Sequence, residues 1–103
     1  MVHGGEPLTL YEDVLKKRDE ILQIASVHGA RRIRLFGSVV RGEETPESDL
    51  DFLVEFEPGK NLLDHVGLMQ DLEDLFGRSV DVVTETGLHW YIKDQIQKEA
   101  VSL

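Results

Sequence analysis

Gly37 to Asp51 reads GSVVRGEETPESDLD, and the reading of this stretch decides the fold. Just upstream, Arg32-Ile33-Arg34-Leu35-Phe36 alternates charged and apolar residues, the period of a half-buried strand. Gly37-Ser38 turns that strand into a short helix over Ser38 to Gly42, and Glu43 to Ser48 is a polar loop containing Pro46. Leu50 to Phe56 forms a second strand with Asp49 and Asp51 at its head. Two residues apart on a strand, these aspartates point to one face while Leu50 and Phe52 point into the core. A third acid, Asp81, lies in the apolar run Val80-Asp81-Val82-Val83 of a third strand, Arg78 to Thr84.

The flanking segments supply scaffold. Residues 1–7 are a loose lead-in ending at Pro7. Thr9 caps a helix running to about His28, and Glu12 three residues on completes a capping box. Leu10, Val14, Ile21, Leu22 and Ala25 recur at helical spacing toward the core, leaving Lys16, Lys17, Asp19 and Glu20 in water, and Gly29 stops the helix. After the turn Pro58-Gly59-Lys60, Asn61 begins a helix whose buried stripe is Leu62, Leu63, Val66, Met69, Leu72 and Phe76, ended by Gly77. A last helix, Leu88 to Ala100, places Leu88, Ile92 and Ile96 four apart. The order α-β-α-β-α-β-α, without internal repeat, predicts one domain over 1–103 of the α/β (α+β) class, a small mixed sheet with helices packed on it.

Composition narrows the partners. In 103 residues there is room for one core and not two. Acids outnumber bases 20 to 11, and the formal net charge is −9. The only basic clusters are Lys16-Lys17-Arg18 and Arg31, Arg32 and Arg34, so stable nucleic-acid binding is not expected. A single nucleotide escorted by divalent cations is compatible with that charge. The absence of cysteine excludes disulfides and thiolate nucleophiles. No run reaches membrane-spanning length and no signal-peptide core is seen, so no membrane association and a cytoplasmic location are the default expectations.

The chemistry rests on four short elements. A Gly-Ser pair ending a strand is usually a turn with a helix cap. At this position it also aims unpaired N–H groups above the strand end, where a phosphate would sit, and Gly37 permits close backbone approach. Asp49 and Asp51 repel one another and titrate upward unless a cation lies between them; a solvated acidic edge is the other reading. Asp81 is either a third ligand or the partner of Arg78. If the three acids converge, they form a hard-oxygen site suited to Mg²⁺ rather than zinc. Two ions about 3.5–4 Å apart would clamp attacking and leaving oxygens at phosphorus. Asp81 would hold the ion that activates the attacking hydroxyl and could accept its proton. Arg41 would reach a triphosphate or pair with Glu43 or Glu44.

Other candidates are weaker. His3, His28, His65 and His89 have no zinc-ligand spacing. Ser38, Ser48, Asp64 and His65 lack the elbow of a nucleophilic triad. Trp90-Tyr91 is read as core or interface rather than a base-stacking shelf.

Gly37-Ser38, Asp49-x-Asp51 and the later Asp81 together resemble the polymerase beta nucleotidyltransferase superfamily, and within it the minimal nucleotidyltransferase (MNT) domain. The resemblance spans nearly the whole chain, through Arg41-Gly42, Ser48-Asp49-Leu50-Asp51 and Leu62-Leu63-Asp64 to Glu99-Ala100-Val101, with no motif position departing from the pattern. It implies the polymerase beta-like fold, and catalytic carboxylates Asp49, Asp51 and Asp81 holding two Mg²⁺ ions. It gives the nucleotide to Gly37 and Ser38, with Arg41 and Ser48 beside them. The implied reaction moves AMP from ATP onto a hydroxyl, releasing pyrophosphate. The implied partner is a HEPN-domain ribonuclease toxin, modified on a tyrosine and neutralised by this chain as antitoxin, in a hetero-oligomer. Independently, a chain this short has no room to build an acceptor pocket of its own, which favours an acceptor brought by another protein. Two other readings compete: a binding module that silences its partner by occlusion, and a nucleotide-binding sensor subunit without turnover.

Overall fold

The computed structural model describes residues 9–103, so the predicted lead-in lies outside the described residues. Thr9 accepts the Glu12 N–H and the Glu12 carboxylate accepts the Thr9 N–H, closing the expected capping box of α1 (Leu10–Lys16). The predicted continuous first helix is in fact two, because the chain breaks at Lys17 before α2 (Arg18–Val27). The Lys17 N–H is shared between the Asp13 and Val14 carbonyls, a tightened final turn. No glycine or proline marks this break, and the Lys17 ammonium lies 5.2 Å from the Phe76 ring centroid, a contact the sequence does not announce.

β1 (Ala30–Phe36), the short α3 (Ser38–Arg41) and β2 (Leu50–Phe56) follow as the alternation predicts. Asn61 caps α4 (Leu62–Phe76) with its own capping box to Asp64, and Gly77 ends it in the left-handed region at φ 66°. β3 (Val80–Val83) is shorter than the predicted strand. A single 3-10 turn, Glu85–Gly87, precedes α5 (Trp90–Glu99), which is likewise shorter than the predicted Leu88 to Ala100. A fourth strand that the sequence reading missed, β4 (Val101–Ser102), pairs with β1.

The sheet is mixed, in the order β3-β2-β1-β4. β1 runs antiparallel to β2 and β4, and β2 runs parallel to β3. Its two faces have separate tasks. Ile33 and Leu35 of β1, Leu50, Phe52 and Val54 of β2, and Val80 and Val82 of β3 meet Ile21, Ala25, Leu68 and Leu72 from α2 and α4 in one core. Each fully buried apolar side chain there contributes about 1.5–3 kcal/mol relative to exposure. Alternation sends Arg34, Phe36, Asp51 and Asp81 to the opposite face.

The stripe predicted for α4 is partly wrong. Leu62 and Leu63 are 73% and 79% exposed, while Leu68, which the reading omitted, is fully buried beside Leu72. Leu62 and Leu63, in the first turn of α4, are left out of the core. Trp90 and Tyr91 are not core either, at 76% and 56% exposed; Tyr91 packs edge-on against both Trp90 and His89. α5 buries no residue fully.

Candidate active site

The end of β1 and the start of β2 are joined by register. Phe36 faces Asp51 across the antiparallel pair, so Gly37 follows directly above the carboxylate. Gly37 has φ 91° and ψ −161°, a conformation open to glycine, and a Cβ there would lie 2.3 Å from Asp51 Oδ2. The glycine is required twice, for its dihedrals and for the approach of backbone to acid. Gly42, at φ 74°, terminates α3.

The parallel pair supplies the third acid. Asp51 stands in register with Asp81, Leu50 with Val80 and Phe52 with Val82. Neighbouring parallel strands therefore present two carboxylates side by side on the face away from the core. Asp49 precedes β2 in an exposed loop segment instead of lying in the strand. That loop is pinned by Arg78 Nη1, which donates to the Ser48 carbonyl at 2.8 Å, and by the Leu50 N–H to the Ser79 carbonyl at 3.1 Å. Arg78 is thus engaged with the loop backbone, and no ion pair between it and Asp81 is found among the described residues. Asp81 is exposed, contrary to the buried setting its apolar neighbours suggest.

Electrostatics mark Asp51. Burial, and then the charges of Asp81 and Asp49, push its carboxyl up to about 6, against a weaker opposing pull from Arg41. Burial and crowding by like charges both disfavour the ionised form. The donor set, carboxylate oxygens only, has the chemistry of a hard divalent cation. Among the described residues, however, no three acids are already drawn together closely enough to surround one ion. Asp49 and Asp81 would have to swing toward Asp51 to do so.

The remaining predicted residues separate. Gly37, Ser38, Arg41 and Asp51 share one recess of about 410 Å³ with Phe36 and with Gln95, Ile96 and Glu99 of α5. Ser48 does not line it. The Ser48 hydroxyl accepts the Thr45 N–H at 2.7 Å and closes the loop turn instead. Arg41 Nε donates to Glu43 at 2.8 Å, one of the two pairings left open by the sequence.

Sequence reasoning missed Glu99. Its carboxylate accepts the Gly37 N–H at 2.7 Å and Arg41 Nη1 at 3.0 and 3.1 Å. A contact across 62 positions leaves no periodicity to read. A larger hollow of about 500 Å³, between Val54–Lys60 and Thr84–Thr86, lies at the opposite end of β2 from the acids.

A Gly-Ser turn above facing strand acids on a small mixed sheet defines a nucleotidyltransferase. The family described as Nucleotidyltransferase domain matches residues 13–103, and the chain belongs to it. It is 45% identical over 84 residues to a provisionally named protein adenylyltransferase of Methanocaldococcus jannaschii, covering 82% of this chain and 90% of that protein. It is 38% identical over 91 residues to the protein adenylyltransferase MntA of Thermococcus cleftensis, covering 81% of this chain and 92% of that one. A solved structure described as a provisional minimal nucleotidyltransferase matches with TM-score 0.81 and 46% identity, over 90% of this chain and 95% of the other. The fold also matches, at TM-score 0.64 and 18% identity, the tri-AMPylated HEPN toxin of Shewanella oneidensis in complex with its MNT antitoxin, over 85% of this chain and 69% of that chain.

Proposed function

We propose that this chain is a protein adenylyltransferase that moves AMP from ATP to a hydroxyl, a tyrosine, of a partner HEPN ribonuclease toxin, and thereby acts as its antitoxin. The observation that carries the reading is the register pair Asp51–Asp81 beneath Gly37. It sets two carboxylates next to the one backbone segment built for close approach. The relatives named adenylyltransferases, matched over nine-tenths of their length, support the adenylyl group and the protein acceptor.

Asp49, Asp51 and Asp81 would hold two Mg²⁺ ions. When bound, these supply positive charge for the crowded acids and polarise phosphoryl oxygens. The chain's own residues do the rest. Gly37 and Ser38, with Arg41, orient the triphosphate at the end of β1. The acceptor oxygen forms a bond to the α-phosphorus as the bond to pyrophosphate breaks, and pyrophosphate departs. Asp81, exposed at the rim, takes the hydroxyl proton on a carboxylate oxygen. With α5 across one side of a small recess, the acceptor must be presented from outside, which suits a macromolecular partner. Its basic surface would complement a chain of net charge −9.

The test incubates the partner with Mg-ATP and either the wild-type chain or the Asp49→Asn/Asp51→Asn double variant. Intact mass spectrometry should show AMP added by the wild type alone, and only that mixture should lose ribonuclease activity. Neutralisation by the double variant without added mass would replace catalysis by occlusion.

A further inference from the structure

We propose that Glu99 is an internal competitor for the nucleotide's phosphates, and so sets the affinity of the site. Its carboxylate, seated at the end of β1, occupies two donors that a phosphate would need there. The Gly37 N–H donates to Glu99 Oε2 at 2.7 Å, and Arg41 Nη1 donates to both Glu99 oxygens at 3.0 and 3.1 Å. A carboxylate held by a backbone amide and a guanidinium is the same recognition, by geometry and charge, that a phosphate oxygen receives. Two anions cannot share those donors, and Asp51 in the same recess adds further repulsion. A triphosphate therefore enters only as Glu99 withdraws. The inference rests on the nucleotide reading above and adds to it the residue that opposes binding.

The attachment of α5 makes withdrawal feasible. The helix buries no residue fully. Besides Glu99, its side-chain polar ties to other elements among the described residues are Gln97 Nε2 to Glu85 at 3.0 Å and Lys93 Nζ to Glu85 at 4.0 Å. Glu85 is itself anchored by the buried Arg34, at 2.6 Å. At its C-terminal end the helix passes into β4, whose pairing with β1 and whose neighbour Leu103 in the core hold the backbone there. Withdrawal is therefore a swing of the Glu99 side chain about that fixed end, with the rest of α5 held by the Glu85 clasp.

Calorimetric titration with Mg-AMP-PNP, a non-transferable ATP analogue, compares wild type with Glu99→Gln and Glu99→Ala. Losing a charge-assisted contact to a half-exposed arginine should tighten binding about tenfold in both variants. Equal or weaker binding by both variants, with the wild type binding normally, overturns the proposal and makes Glu99 a support for Arg41. If no protein, wild type included, binds the analogue, the nucleotide reading itself falls and takes the competitor with it.

Discussion

Asp51→Asn removes one charge from the most crowded position in the fold while keeping the shape of the side chain. Burial and the neighbouring Asp81 and Asp49 raise the Asp51 carboxyl from 3.8 to about 6. A carboxyl raised on folding binds protons in the native state that the unfolded chain has already released. Its favourable contribution is complete below about pH 4 and is lost as pH rises through about 6. Above that, the native state carries a charge that it holds less well than water does. A shift of about two units corresponds to about 3 kcal/mol. The side chain is half-exposed, and solvent screening reduces this to about 1 kcal/mol. In metal-free buffer near neutral pH, Asp51→Asn should therefore be the more stable protein, with Tm higher by roughly 4–8 °C. Thermal melts followed by circular dichroism in EDTA, repeated across about pH 4 to 8, measure the gap. The gap should close toward the acid end. A variant less stable than wild type at neutral pH, or a gap that ignores pH, would show that Arg41 already satisfies the carboxylate and that the crowding argument is wrong.

Two other substitutions probe the scaffold. Gly37→Ala must place a Cβ 2.3 Å from Asp51 Oδ2 on a backbone at φ 91°. Strain alone costs about 1–3 kcal/mol, so the urea midpoint should fall with little change in slope. Leu68→Ala should cost about 2–5 kcal/mol, whereas Leu63→Ala should stay within about 0.5 kcal/mol, and chemical denaturation of the pair checks the revised face of α4.

What the sequence makes legible follows the range of the interactions. The capping box at Thr9, the helix start at Asn61, the bounds of β2 and the Gly77 stop are local chemistry, and they stand in the structure as read. Gly37, Ser38, Arg41 and Asp51, all taken from the motif, line one recess. The misses have other causes. β4 has two residues, too few to show a period, and exists through its pairing with Arg34 and Leu35. Leu62 and Leu63 fit a helical stripe by spacing, but the core takes the face of α4 that carries Leu68 and Leu72. Asp81 looks buried by its neighbours, although alternation on a strand places it on the other face. Glu99 takes its meaning from residues two strands and three helices earlier in the chain. Ser48 lies within the motif, yet its hydroxyl is committed to a turn.

β2 alternates between two duties: Leu50, Phe52 and Val54 lie in the core, and Asp51 stands on the reverse face. A slip of one residue would exchange the faces, burying the acid and stranding the apolar side chains in water. The carboxylates consequently align only in a molecule whose interior is already assembled. A nascent or damaged copy is silent by construction, and whatever this chain modifies is modified by correctly folded copies alone.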